Sequence, residues 1–359
     1  MSRVLAAYIA REIGTAFVLV MLAFLGLFAF FDFVNELDAI GQDGYEVQHA
    51  LLYVALLLPG RVYELMPIVV LIASLYALTA LAKNSEITVM RASGMSTAHL
   101  LRALGLVGMV FVVLTFVFGE YIAPPAERTA QQWRLTATGS TVSQQLRTGL
   151  WVKDGARVVN VSRLQPDRTM EGVRVFEFDR EQVLLSLSEA EVGRYDTEAQ
   201  VWRFTGVVQT RFSDDRTEVA RLEGIDWRSE LSPEVLSVLM VAPERMSVAT
   251  LFAYIKHLRE NRQNADRFEI ALWKKIVYPL AVLVMMALAV PFAMGHGRAS
   301  AVSVKVFVGV MLGVAFHLLN GLFSNLGVIH GWAPVLAALT PSLFFLAAAA
   351  IMLSVVERR

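Results

Sequence analysis

The strongest constraint on this chain is a set of long apolar stretches, which form two groups on either side of a polar middle segment. A helix needs about 20 apolar residues to cross the hydrocarbon core of a bilayer. Stretches of this kind lie at 13–34, 50–82, 100–122, 270–294, 303–325 and 333–356. The pattern predicts an α-helical membrane bundle of six transmembrane helices, three on each side of an inserted domain.

The composition supports a membrane class. Hydrophobic residues make up 56% of the 359 residues and charged residues 18%, below the roughly 25% of charged residues in soluble domains. The formal net charge is zero, so no overall field favours nucleic acid as a partner. The absence of cysteine excludes disulfides, thiolate metal sites and cysteine nucleophiles.

The placement of lysine and arginine predicts the orientation of the spans. The short loops 35–49 and 326–332 contain neither residue type. By the positive-inside rule, the opposite, basic ends face the cytoplasm. Both termini are therefore expected in the cytoplasm and the 123–269 segment outside it. The basic ends carry Arg3, Arg11, Lys83, Arg91, Arg102, Arg298, Lys305, Arg358 and Arg359.

The polar middle segment has the pattern of a β-domain. Turn residues separate short runs rich in β-formers, which predicts about ten strands in a sandwich, jelly roll or curved sheet. From Ser247 to Arg262 the period becomes helical, with Ser247 as a candidate N-cap. We therefore divide the chain into helices 1–3 (1–122), the β-domain (123–246), and a linker helix with helices 4–6 (247–359). The clearest strand runs are 150–154, 157–161, 173–178, 183–187, 201–204 and 219–223.

Motifs of catalytic sites are missing. The sequence contains no GxxxxGK[ST] phosphate loop, HExxH or GxSxG, so the chain cannot hydrolyse ATP through a Walker A loop. The six histidines are scattered and predict no metal site. We expect a protein that is not an enzyme and binds no cofactor itself.

The loop between the second and third spans has two interpretations. Residues 83–94 read as a short helix that Gly94 ends. Such a helix lies on the lipid surface in many proteins, but it could equally dock onto a partner.

Four cations near the outer span ends also allow two interpretations. Arginine and lysine at such positions commonly extend to lipid headgroups. Alternatively they line a cavity for an anionic, lipid-like solute. These residues are Arg61, Arg134, Lys274 and Lys275.

Two further patterns have an ordinary structural explanation. Gly309 and Gly313 in the fifth span, with a polar stripe below them, favour close helix packing with interhelical hydrogen bonds. The apolar strands favour a core, although an open sheet could use them as a groove for acyl chains. The stripe consists of His317, Asn320, Ser324 and Asn325.

Three segments carry a resemblance to a known family. They are the loop 86–94 (EITVMRASG), the exit of the third span at 119–124 (GEYIAP) and the opening of the β-domain at 149–155 (GLWVKDG). With the order of spans and β-domain, they resemble the LptF/LptG permeases of the lipopolysaccharide exporter, and the LptG branch more than the LptF branch. The LptF role stays open at this point.

The resemblance implies a half-transporter of the bacterial inner membrane with a periplasmic β-jelly roll. Its partners would be an LptF-like permease, an LptB ATPase dimer, LptC and the LptA bridge, with lipopolysaccharide as the ligand. ATP and Mg would be used by the separate ATPase, which fits the missing phosphate loop. A membrane-anchored scaffold without transport activity, or a lipid-modifying membrane enzyme, remains as an alternative.

The resemblance also implies residue roles. Glu86 would pair with an arginine of the ATPase, and Arg134 would bind a lipid A phosphate. The remaining ATPase-coupling residues would be Ile87, Val89, Met90 and Arg91, and the remaining lipopolysaccharide-binding residues Arg61, Lys274 and Lys275.

One segment departs from the family. Relatives often carry phosphate-binding lysines at the outer end of the first span, where this chain has Asp32 and Asp38. The cations have then moved to Arg61 and the lysine pair, or the partner subunit supplies them. A divalent ion that bridges Asp32 or Asp38 to phosphate is a third explanation.

Overall fold

The computed structural model describes residues 3–41, 44–94, 96–138, 149–165, 169–179, 181–213, 215–227, 242–261, 263–294 and 302–358. Six helical segments in these ranges are long and apolar enough to cross a membrane. They coincide with the six predicted stretches, so the helical bundle is confirmed. The basic residues Arg298 and Arg359 lie outside the described residues.

The helices follow one another in two groups around the β-domain. The first group is α1 (Arg3–Glu36), a 3-10 turn (Leu37–Ala39), α2 (Val47–Lys83), the short α3 (Glu86–Ala92), α4 (Thr97–Val117), a π-helical turn (Phe118–Ile122) and α5 (Ala123–Ala137). The second is a 3-10 turn (Pro243–Arg245), α6 (Val248–Glu260), α7 (Asp266–Met294), α8 (Val302–His330) and α9 (Pro334–Glu357).

The third span continues further than the sequence suggested. The predicted domain boundary at residue 122 falls inside one helical segment that runs from α4 through the π-helical turn into α5. Pro124 and Pro125 open α5 and cannot donate backbone hydrogen bonds. The wide turn just before them accommodates this loss without ending the helix. The helix then reaches Ala137, and β1 begins only at Leu150.

Helix α2 is the centre of the bundle. Its middle is apolar on all sides, as expected for a helix surrounded by others, and Val69, Val70, Leu71 and Leu75 are fully buried. It packs against α1, α5, α7 and α8. Burial of a side chain of this size contributes about 1.5–3 kcal/mol, so α2 anchors the elements that surround the site.

The β-domain is a six-stranded antiparallel sheet in which each strand pairs with the next in sequence. Each of the six predicted runs overlaps one strand; no further strand occurs among the described residues, where about ten were expected. The strands are β1 (Leu150–Asp154), β2 (Arg157–Leu164), β3 (Met170–Phe178), β4 (Leu184–Asp196), β5 (Val201–Phe212) and β6 (Thr217–Trp227).

Two glycines change which residues face the inside of the sheet. Gly172 in β3 and Gly206 in β5 have φ of +59° and +65°, a region that suits glycine. Met170 and Val173 on either side of Gly172 are both buried, although strict alternation would put them on opposite faces. The two glycines thereby keep the apolar residues on either side of them on the inner face of the sheet.

The predicted linker helix is confirmed as α6. The Ser247 hydroxyl accepts a hydrogen bond from the Thr250 amide at 3.1 Å, which is the expected N-cap. Leu251, Tyr254 and Leu258 are buried on its predicted apolar face. The Gly155 amide between β1 and β2 donates to Asn261 at 2.7 Å, so α6 also contacts the β-domain.

Candidate functional site: a cation-lined cavity below the β-domain

Helices α2, α5, α7 and α8 enclose a polar cavity of about 460 Å³. It lies at the end of the bundle from which the chain leaves for the β-domain, because its walls include the π-helical turn and the 3-10 turn before α6. Its charged and polar lining consists of Arg61, Tyr63, Glu64, Glu127, Glu244, Arg245, Lys274, Lys275, Tyr278, His317, Asn320, Ser324 and Asn325.

Three of the four predicted cations meet in this cavity. Arg61 comes from α2, and Lys274 and Lys275 from the first turns of α7. Nothing in the sequence brings Arg61 and the two lysines together, since more than 200 residues separate Arg61 from them. The packing of α2 against α7, which run in the same direction through the bundle, does so.

Arg61 is held by two carboxylates. Its guanidinium contacts the two carboxylate oxygens of Asp32 at 2.7 and 3.0 Å and Glu64 at 2.9 Å. This bidentate pair explains the acidic outer end of α1, because Asp32 orients an arginine of the cavity. A divalent ion is not needed to account for Asp32.

The two lysines have different surroundings. Lys275 is 7% exposed; its ammonium donates to the Met246 carbonyl and lies 5.6 Å from the centre of the Tyr63 ring. Lys274 is partly buried, and no hydrogen bond or ion pair joins it to another described residue. Lys274 is therefore the cation of this cavity that is freest to meet an anionic ligand.

The polar stripe of α8 faces the cavity. His317, Asn320, Ser324 and Asn325 all line it. Asn320 and Ser324 hydrogen-bond to backbone carbonyls within α8, at 3.3 and 2.8 Å. Among the described residues, neither side chain forms the expected hydrogen bond to another helix, and the stripe adds neutral donors and acceptors to the site.

Close packing is confirmed one and two turns earlier on α8. A Cβ on Gly309 would lie 2.5 Å from Leu75, and one on Gly313 would lie 2.7 Å from Ile68. The glycines allow α8 to approach α2 closely, which forms the wall of the cavity.

Arg134 does not line this cavity. Its guanidinium pairs with Glu36 at 2.6 Å and lies 5.7 Å from the centre of the Tyr53 ring. Glu36 is 5% exposed, so the arginine balances a buried carboxylate of α1. Arg134 therefore does not share this cavity with the other three cations, because α5 points this residue toward α1 and the start of α2; its contact with a lipid A phosphate stays a prediction.

Sequence reasoning missed the acidic and basic residues that the linker brings to the cavity. Arg245 pairs with Glu127, which is 4% exposed, and Glu244 also lines the wall. The two partners are 118 residues apart. The sequence around Arg245 has no motif that would have indicated this role.

The predicted coupling segment forms α3 at the opposite end of the bundle. The Tyr8 hydroxyl donates to the Glu86 carboxylate at 2.9 Å, and Gly94 follows with φ +90°, as expected for a helix stop. Ile87 is 6% exposed and belongs to the core of the bundle, so its side chain anchors α3 rather than facing outward. Val89 is 64% exposed.

The structure describes the side chain of one of the two remaining coupling residues. Met90 is partly exposed. Arg91 lies on α3, and its side chain lies outside the described residues.

The inner face of the β-domain is apolar at one end and polar at the other. Phe204 and Trp227 stack with ring centres 5.5 Å apart in a buried cluster with Trp202. At the other end Arg157 contacts Glu177 at 2.8 Å; this hydrogen bond lowers the pKa of the Glu177 carboxyl group. A small cavity of about 120 Å³ lies between the two ends.

A bundle of six membrane-length helices, an inserted β-domain and a cation-lined cavity within the bundle define a polytopic membrane protein with the parts of a permease. The family model described as "Lipopolysaccharide export system permease LptF/LptG" matches residues 7–354, and the chain belongs to this family.

Two relatives give the same result at the level of whole chains. The chain is 32% identical over 346 residues to the lipopolysaccharide export system permease protein LptG of Escherichia coli strain K12, which covers 95% of both chains. It is 28% identical over 339 residues to the LptG protein of Haemophilus influenzae, which covers 94% of this chain and 95% of that protein. The resemblance to the LptF/LptG family, nearer to LptG, is confirmed.

Proposed function

We propose that this chain is the LptG-type half of an ATP-driven exporter that extracts lipopolysaccharide from the inner membrane and passes it through the β-domain to a periplasmic bridge. An LptF-like permease would complete the membrane cavity, and an LptB dimer would hydrolyse ATP with Mg. LptC and LptA would accept the lipid. Both termini would be cytoplasmic and the β-domain periplasmic, in agreement with the positive-inside rule.

The cation-lined cavity is the observation that carries this proposal. Lys274 and Lys275 come from the same turn of α7, and Arg61 faces them from α2. A lipid phosphate in this space would meet charge-assisted donors, which form stronger hydrogen bonds than neutral ones. A scaffold would have no need for a cavity of this composition.

The apolar inner face of the β-domain supports the next step of transport. Val159, Val173 and Trp202 are almost fully buried on this face. Acyl chains that enter such a surface gain about 0.8 kcal/mol for each buried CH₂ group. The apolar end of this face could therefore carry them through the aqueous periplasm.

The position of α3 supports the coupling role. It lies at the end of the bundle away from the cavity, and Ile87 fixes it to the helical core. The exposed Val89 and the Glu86 carboxylate are available to an ATPase surface. A displacement of α3 would be transmitted to α1 by the hydrogen bond between Glu86 and Tyr8.

Charge reversal in the cavity tests the proposal. Lys274→Glu should lower photocrosslinking of lipopolysaccharide to a photoreactive residue at position 325 by about tenfold, because an attractive contact becomes repulsive. Lys256→Glu is the matched control, since this side chain is 71% exposed on α6 and lies outside the cavity. Equal yields from both variants would contradict a lipid-binding cavity and favour the scaffold alternative.

A further inference from the structure

The segment 243–250 connects the β-domain to the bundle and also forms a wall of the cavity. It contains the 3-10 turn Pro243–Arg245 and the first turn of α6. Glu244 and Arg245 line the cavity from this segment. A ligand bound against this wall would therefore contact the connection to the β-domain.

Four side chains of the bundle hold this segment, here called the linker segment. Glu127 pairs with Arg245, and Lys275 donates to the Met246 carbonyl. Glu120 accepts the Val248 amide at 2.8 Å, and Arg128 donates to Thr250 at 2.6 Å.

Glu120 owes its position to the π-helical turn. The turn spans Phe118–Ile122. The Glu120 carboxylate contacts the first amides of α6, where a negative charge is favourable. Glu120 therefore anchors the linker segment to the third span from outside the cavity, since it is not among the lining residues.

Two of the four contacts are made by groups that an anion in the cavity would attract. Lys275 lines the cavity, and its ammonium group donates one hydrogen bond to a neutral carbonyl. A phosphate is a stronger acceptor than a carbonyl for an ammonium group. The pair of Arg245 and Glu127 is comparable, because Arg245 also lines the cavity and an anion there would attract its guanidinium.

We propose that Lys275 is a ligand-sensitive latch, which holds the linker segment through Met246 when the cavity is empty and turns to the anionic headgroup when it is occupied. This inference rests on the proposed function, because it takes lipopolysaccharide as the anion. This change of partner frees the Met246 carbonyl and loosens the linker segment. Occupancy of the cavity is thereby coupled to the connection with the β-domain. Lys275 is thus a positioning residue as well as a ligand contact.

Hydrogen exchange of the full-length chain, in complex with its LptF-like partner in lipid nanodiscs, tests the latch. Lipopolysaccharide should raise the exchange rate of amides in the linker segment roughly tenfold, the effect expected when a charged hydrogen bond is lost. Lys275→Met should show the fast exchange without lipid and no further change with it. Lys256→Met is the matched control, because Lys256 is 71% exposed on α6 and lies outside both the cavity and the linker segment, and its exchange with and without lipid should equal that of the wild type.

The outcomes separate the latch from the proposed function. If lipopolysaccharide crosslinks to the wild-type cavity while exchange in the linker segment stays unchanged or slows, the latch is wrong and the permease proposal stands. If lipopolysaccharide does not bind at all, both are wrong. The wild-type comparison needs no variant, so a misfolded Lys275→Met chain would not prevent a decision.

Discussion

At the scale of single residues, the cavity owes its geometry to buried charges that are balanced in pairs. Asp32 is 11% exposed and Arg61 20% at the side chain. Charges with so little water around them require a partner. The acidic outer end of α1, which departs from the family pattern, is one half of such a pair.

Removal of Arg61 should therefore cost more stability than removal of an exposed arginine. Arg61→Met leaves the Asp32 carboxylate buried without its partner, which we expect to lower the free energy of unfolding by about 3 kcal/mol. Adding Asp32→Asn should recover most of this loss. Arg203→Met is the control, because its pair with Asp196 is 58% exposed at the arginine and should contribute under about 1 kcal/mol.

Thermal unfolding of the purified chain in detergent measures these differences. The single variant should unfold at a lower temperature than the double variant. Equal midpoints for the two would show that Arg61 and Asp32 are not coupled.

At the scale of elements, the approach of α8 to α2 shapes the cavity wall. Ile68 is 8% exposed and β-branched, so it has few alternative rotamers inside a helix. A methyl group added at Gly313 would lie 2.7 Å from it. The two helices would have to move apart.

Gly313→Ala should therefore destabilise the bundle by about 1–3 kcal/mol, the usual effect of overpacking. Gly105→Ala in α4 is the control, because nothing lies within 4 Å of its added Cβ. Alanine should there be neutral or stabilising by up to about 1 kcal/mol, since it favours helix. Both effects can be read from thermal unfolding, and a destabilised Gly105→Ala chain would contradict the packing argument.

At the scale of the whole molecule, the sheet separates a face that could carry lipid from one that could not. Leu222 and Val219 lie on the same strand, β6, and are both exposed. Leu222 pairs with Val207 of the buried cluster, whereas Val219 pairs with Thr210. The two side chains therefore point to opposite faces.

Photocrosslinkers at these two positions should give opposite results during transport. A probe at position 222 should capture lipopolysaccharide, and one at position 219 should remain silent. Alternation along a strand also puts Val159 on the inner face and Phe176 on the outer face, where it stacks on Trp151 with ring centres 5.7 Å apart. We expect a probe at position 159 to capture lipid and one at position 176 to remain silent. Equal labelling at 219 and 222 would contradict a one-sided lipid path.

Much of the architecture could be predicted because it depends on local pattern. Apolar length specified the six spans, the serine before α6 specified its cap, and alternation located the strands. The site was predicted only in part. Arg61, Lys274 and Lys275 were identified as cations at span ends, but Arg134, which was grouped with them, does not line the cavity, and Arg245 was missed.

The sequence by itself determined which segments enter the membrane and which form the sheet, since hydrophobic transfer and backbone hydrogen bonding act on each segment alone. Only the tertiary structure decided which charges meet. Arg134 and Glu36 are 98 residues apart and Arg245 and Glu127 are 118 apart, and their pairing depends on how helices rotate and cross. A buried charge selects its partner by proximity in space, and that proximity arises only when the bundle has packed.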